Sequence, residues 1–254
     1  MHILPQLRKL ERKYRDWFVV VGVHSAKFPN EKETDNIRSA VLRYGIEHPV
    51  INDRDFTLWQ KYGVRAWPTL MFVHPDGRVI GKHEGEFDPE KFDEMIADMG
   101  REFADADLLN ELPLDYQLEA LAAEKRPLSF PGKIEANPGS DRLFIADSGH
   151  HRVLVVNRSG EVQEIIGSGE LGADDGSFET ASFNRPQGIA ADAGHLYIAD
   201  AENHTIRLAD LEARTLSTIA GTGEQSLFRH RGGDALMFPL NSPYDVALRD
   251  ARLY

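Results

Sequence analysis

The chain has 254 residues, 41% apolar and 28% charged, a composition that folds in water into one large or two small domains. Lys and Arg number 29 against 41 Asp and Glu, and the net charge of −12 is spread over both halves, which excludes a nucleic-acid backbone or an anionic membrane surface as a natural partner. Cysteine is absent, so the chain as given holds no disulfide framework, no thiolate metal site and no cysteine nucleophile.

Residues 1–14 read as an amphipathic helix. Ile3, Leu7, Leu10 and Tyr14 share one face, and Arg8, Lys9, Arg12 and Lys13 form a solvated one. A leader needs an apolar stretch after a short basic one, whereas here Pro5 is followed directly by the basic stretch Arg8, Lys9, Arg12, Lys13 and Arg15, so the segment does not read as one. The continuous apolar run Trp17–Val23 predicts a strand covered on both faces, as in a parallel sheet. Thr34–Leu42 predicts a helix with Ile37, Val41 and Leu42 inward, ending near Gly45. A short strand over Pro49–Asn52 and a short helix over Asp55–Tyr62, with Asp55 as N-cap, come next. Thr69–Val73 is a second apolar strand. The turn His74-Pro75-Asp76-Gly77 brings Arg78–Lys82 back as its antiparallel partner. Asp88-Pro89-Glu90 opens a last helix through about Glu102, with Asp at the N-cap and Pro at the first helical position.

The segments Val21-Gly22-Val23-His24-Ser25 and Tyr62-Gly63-Val64-Arg65-Ala66-Trp67-Pro68-Thr69, with the Asp76-Gly77 hairpin, resemble the thioredoxin-like fold over about residues 1–102. More narrowly they resemble the thioredoxin-like/NHL-repeat family and its bacterial relatives. The resemblance implies a cis bond before Pro68. It also implies a substrate-binding loop of Trp67, Pro68 and Thr69, in which the residue before the proline offers main-chain hydrogen bonds to an extended substrate. It further implies a redox Cys-x-x-Cys pair at the start of the helix whose proline matches Pro5. That places the second cysteine just before Met1 and the central strand further upstream. A helix N-terminus lowers a thiol pKa and makes it a nucleophile near neutral pH, which is why the pair belongs there. Met1 therefore reads as an internal methionine, and the alternative is a family member without redox cysteines.

From 103 to 130 the composition shifts. Leu108, Leu109, Leu112, Leu114, Leu118 and Leu121 lie among acids and alanines up to Lys125-Arg126-Pro127, which reads as a helical linker between domains.

Residues 131–254 repeat. Leu143-Phe144-Ile145-Ala146-Asp147 returns 53 residues later as Leu196-Tyr197-Ile198-Ala199-Asp200, and Ile165-Ile166-Gly167-Ser168-Gly169 returns as Ile219-Ala220-Gly221-Thr222-Gly223. A third unit begins at Pro243-Tyr244-Asp245. Each unit has four short β-runs, in the second at Gly188–Ala191, His195–Ala199, Thr205–Asp210 and Arg214–Ala220. Such a unit is a β-propeller blade. The stretch ending Asn203-His204 resembles the NHL repeat. The segment holds about two blades and the start of a third, against roughly 4–8 in closed propellers. The fold class expected is thus an incomplete α/β thioredoxin-like domain followed by an incomplete all-β NHL-repeat propeller. Its open edges are expected to leave this chain marginally folded or to make it associate.

Asp147 and Asp200 follow strand ends, where a carboxylate accepts main-chain N–H groups and holds a turn. His151, Asn203 and His204 read as turn residues beside them. His150, His151 and His204 lack metal-ligand spacing. Asp174-Asp175-Gly176 reads as an acidic turn rather than a calcium loop, and Gly167-Ser168-Gly169 lacks the Lys-Ser/Thr and the helix of a phosphate loop. The resemblance implies a thiol–disulfide oxidoreductase or redox sensor with a propeller recognition surface. A non-enzymatic interaction scaffold is the alternative, and a propeller hydrolase or lyase lacks a nucleophile–base pair. The expected partner is a protein or peptide bound at the propeller surface and the Trp67–Thr69 loop. No cofactor, metal, nucleic acid or membrane is expected.

Overall fold

In the computed structural model, which describes residues 3–109, 118–119, 126–137, 139–226, 233–250 and 252–254, helix α1 (Ile3–Lys13) carries the predicted face. Leu7 and Leu10 are buried with Phe87 and Ile96, and Trp17, Phe18, Val20 and Leu70 pack around them. Two of the outward cations are matched, Arg12 to Glu47 at 2.8 Å and Lys13 to Asp93 at 2.5 Å.

The apolar run that follows departs from expectation. Only Gly22–His24 forms a strand, β1, parallel to β2 (Val50–Asn52) with Gly22 opposite Val50. The run is not covered on both faces: Val19, Val21 and Val23 are 40%, 50% and 47% exposed, and only Trp17, Phe18 and Val20 reach the core. A three-residue partner limits the ladder to three residues.

Helix α2 (Thr34–Tyr44) buries Ile37 and Val41 and leaves Leu42 half-buried. It closes at Gly45, whose φ of +56° is the left-handed C-cap that glycine adopts without Cβ strain. Helix α3 (Thr57–Lys61) is shorter than predicted. β3 (Thr69–Val73) and β4 (Val79–Glu84) form the predicted hairpin, with Thr69 opposite Glu84. Helix α4 (Pro89–Asp105) starts at Asp88, whose side chain accepts from the amides of Glu90 and Lys91. At Gly100 a Cβ would lie 2.5 Å from the Trp17 ring, so only glycine lets α4 close on the core here. Among the described residues β1 pairs only with β2 and β3 only with β4. α4 runs past Glu102 to Asp105. Leu112, Leu114, Leu121 and Lys125 of the expected linker lie outside the described residues.

The chain divides into two compact units, Met1–Glu124 and Lys125–Tyr254. In the second, β5 (Ile134–Ala136), β6 (Arg142–Asp147), β7 (Arg152–Asn157) and β8 (Val162–Ile166) form an antiparallel sheet in that order. The next sheet comprises β9 (Gly176–Ser177), β10 (Pro186–Ala191), β11 (His195–Asp200), β12 (Thr205–Asp210) and β13 (Thr215–Ala220). Its order is β10-β11-β12-β13-β9. β14 (Leu248–Arg249) pairs antiparallel with β15 (Arg252–Leu253). Phe144, Val153 and Ile166 of the first sheet share a core with Ile189, Leu196 and Leu216 of the second. Phe178 and Phe183 of the connecting segment complete it. Ala190, Ala199 and Ile206, on the second sheet, pack with Val246, Leu248 and Leu253 of the third repeat. Strand alternation makes this stacking possible, because each sheet presents one set of side chains to the repeat before and the other to the repeat after.

Candidate functional site: the Trp67 loop and the repeat turns

The loop entering β3 is held by residues far from it in sequence. The peptide between Trp67 and Pro68 is cis, as the resemblance implies. Trp67 is 50% exposed, yet its indole Nε1 donates to the Ser25 carbonyl at 2.9 Å and its ring lies 4.3 Å from that of Trp59. The Thr69 hydroxyl donates to the Ala66 carbonyl at 2.7 Å and the Gly85 amide donates to the Pro68 carbonyl at 2.9 Å. Among the described residues the amide and carbonyl of Trp67 have no main-chain partner. The loop is therefore held by distant partners, and the amide and carbonyl of Trp67 lie beside an exposed aromatic face.

Asp53 anchors the loop's support. It is buried, and its carboxylate accepts from the amides of Leu58 and Trp59, both at 2.9 Å, and from the Ser25 hydroxyl at 2.8 Å. Its own amide donates to the His24 carbonyl at 3.0 Å. Burial pushes this carboxyl up, but the donated hydrogen bonds outweigh it and hold the pKa below the ordinary carboxylate value. The expected N-cap, Asp55, is corrected by this arrangement. Phe56 occupies the cap position at φ +58° without capping, and Asp53 reaches the first-turn amides from outside the helix. Asp53 ties the end of β1 to α3, and α3 supplies the Trp59 ring that packs against Trp67.

In the repeat unit Asp147 and Asp200 are both fully buried. Asp147 accepts from the Ser129 amide at 2.7 Å, and Asp200 from the Asn184 amide at 2.8 Å. The other oxygen of Asp147 meets His150 Nδ1 and Arg152 Nε, and that of Asp200 accepts from Asn203 Nδ2 and Arg207. His151 and His204 occupy equivalent left-handed positions at φ +51° and +55°. His151 Nδ1 accepts from the Arg185 amide at 3.2 Å, and His204 Nδ1 from the Ser242 amide at 3.1 Å. Each amide belongs to a positive-φ residue just before a proline that opens the next repeat, Pro186 or Pro243. A main-chain N–H can only donate, so both imidazoles carry their proton on Nε2. These side chains thus fasten consecutive repeats.

Arg207 was not among the residues singled out from sequence. It is fully buried, donating to Asp200 at 3.0 Å, to Asp175 at 2.7 Å and to the carbonyls of Ser182 and Asp174 at 3.0 and 2.8 Å. Asp174 also accepts from the Ser182 hydroxyl, and Asp175 from the Thr218 amide and hydroxyl. The Asp174-Asp175 turn is therefore filled by protein donors. The amides of Gly167 and Ser168 donate to the carbonyls of Phe178 and Ala181, which leaves no phosphate cradle there. Among the described residues no cluster of His, Asp or Glu has the grouping that holds a metal ion. No helix among them is long and apolar enough to cross a membrane.

Comparison with known proteins accords with this geometry. Residues 1–79 match the Thioredoxin-like family and residues 183–207 match the NHL repeat. The chain is 45% identical to NHL repeat-containing protein 2 of Bos taurus over 97% of its own length, which is 34% of that protein. It is also 45% identical to protein SUPPRESSOR OF QUENCHING 1, chloroplastic, of Arabidopsis thaliana, covering 97% of this chain and 24% of that one. Thiol-disulfide oxidoreductase ResA of Halalkalibacterium halodurans is 26% identical over 37% of this chain and 51% of its own. The chain thus spans about a third of the length of NHL repeat-containing protein 2.

Proposed function

We propose that this chain, which belongs to the thioredoxin-like/NHL-repeat family, is the polypeptide-recognition part of a thiol–disulfide redox or redox-sensing protein. Its thioredoxin-like domain binds an extended segment across Trp67, Pro68 and Thr69, and its NHL repeats, arranged as propeller blades, present a second recognition surface. The observation that carries this reading is the Trp67 loop: an exposed indole, pinned by Ser25 and Trp59, beside a main-chain amide and carbonyl free of main-chain partners among the described residues. Such an edge pairs with an extended chain by strand addition while the ring covers an apolar side chain. The similarity to a thiol-disulfide oxidoreductase supports the redox context. The 254 residues themselves contain no thiol, so they bind without exchanging disulfides. Asp147, His151, Asp200, Asn203 and His204 act in this reading as turn and repeat fasteners, not as catalysts. The absence of cysteine also favours a second reading, a scaffold that binds partners through the NHL repeats alone.

The test is peptide titration of the 254-residue chain. Trp67→Ala is expected to weaken binding of an extended peptide by about tenfold or more, since truncating a tryptophan hot spot at an interface costs about 2 kcal/mol or more. Reduction of insulin disulfides by the chain stays at background. Unchanged affinity in Trp67→Ala would contradict the reading, as would measurable insulin turnover by the chain.

A further inference from the structure

The chain carries a net −12, and on α1 the exposed cations Arg12 and Lys13 are matched to Glu47 and Asp93. By contrast Lys27, Lys32, Lys61 and Arg65 form no ion pair among the described residues. All four sit on the segments that carry the aromatic cluster. Two of them bracket it: Lys27 Nζ lies 5.9 Å from the Trp67 ring, Trp67 packs on Trp59 at 4.3 Å with the rings tilted by 36°, Trp59 meets Phe56 at 5.7 Å, and Lys32 Nζ lies 6.0 Å from Phe56. A row of three rings thus has an ammonium at each end. Phe28, 56% exposed, widens the row beside Lys27 at 6.0 Å. Three of the nearby carboxylates are engaged: Glu31 accepts from the amides of Lys27 and Phe28, Glu33 pairs with Arg54, and Glu84 pairs with Lys82.

Resting on the peptide-binding reading above, we propose that this row selects acidic extended polypeptide segments, an apolar side chain lying on the rings of Trp67 and Phe28 and flanking Asp or Glu side chains meeting Lys27 and Lys32. An ammonium over a ring within about 6 Å is held in place by the ring's negative face and keeps its remaining donors for a carboxylate. A main-chain edge beside the row favours a polypeptide over a small anion.

The test uses the 254-residue chain and fluorescein-labelled nonapeptides with a shared Val-Phe-Val centre, differing only in whether Glu, Gln or Lys flanks it. Anisotropy at about 20 mM salt is expected to rank Glu above Gln by about fivefold and Gln above Lys by as much again, with the differences closing at about 0.5 M salt. Lys27→Gln with Lys32→Gln is expected to bring the Glu peptide down to the level of the Gln peptide, whereas Lys91→Gln, on α4, preserves the ranking. Equal affinity for the three peptides overturns the acidic preference and leaves the peptide-binding reading standing. Failure of every peptide to bind overturns both. A single-stranded oligonucleotide that binds more tightly than the Glu peptide overturns the assignment to polypeptide.

Discussion

Arg207→Met is expected to destabilise the NHL-repeat unit by about 3–5 kcal/mol, the usual loss when one partner of a buried ion pair is removed. The guanidinium binds Asp200, Asp175 and two main-chain carbonyls, and both it and Asp200 are fully buried. Burial already pushes the Asp200 carboxyl above its ordinary value, against the pull of its donors and of Arg207. Without the cation, Asp200 is left with an uncompensated charge or takes up a proton. Arg207→Met with Asp200→Asn recovers part of the loss, because no buried carboxylate then lacks a cation. Arg207→Lys does not substitute, since a point ammonium cannot span two carboxylates and two carbonyls in a fixed fork. The three tryptophans, Trp17, Trp59 and Trp67, all lie before residue 125. Denaturant unfolding of Arg207→Met should therefore shift the far-UV circular dichroism transition of the strand-rich unit and leave the tryptophan fluorescence transition in place. An unmoved dichroism midpoint would contradict this.

Asp53→Ala is the mirror case in the first unit. It removes the acceptor for two α3 amides and for the buried Ser25 hydroxyl, an expected loss of about 2–4 kcal/mol from a lost helix cap and stranded buried donors. Here the tryptophan fluorescence transition should move and the NHL-repeat transition stay. Asp53→Asn keeps one accepting oxygen and should lose about half as much. Because the folded pKa of Asp53 lies below the ordinary carboxylate value, its contribution is present at neutral pH. It falls away as pH drops below about 3.9, the unfolded value, toward the folded one. The wild-type fluorescence midpoint should fall over that range more steeply than that of Asp53→Asn.

The sequence carried the elements whose signal is local. The face of α1 follows from the spacing of Leu7 and Leu10, the cap of α4 from Asp88-Pro89, and the repeat sheets from two copies of Ile-Ala-Asp. What it hid depends on partners distant in the chain. The run 17–23 looks uniformly buried because valine occupies both parities, and only the three residues of β2 reveal how little of it is a strand. Asn52-Asp53-Arg54-Asp55 offers two possible caps, and the choice is made by Ser25, 28 residues away. Trp67-Pro68 was legible as a motif, whereas Trp59 and the Ser25 carbonyl that orient its ring were not. Arg207 had a readable signal that passed unused: a charged residue among inward positions of an alternating strand, with the acidic turn Asp174-Asp175 upstream to receive it.

Amide chemical-shift mapping by ¹H–¹⁵N correlation during peptide titration reads, residue by residue, where an extended peptide touches this chain. The predicted result is a set of shifts centred on Ala66, Trp67 and Thr69, with the Trp67 indole N–H moving alongside the amides of Lys27 and Phe28. Shifts confined to residues beyond 125, with the Trp67 loop unmoved, would contradict the account and assign binding to the NHL repeats alone.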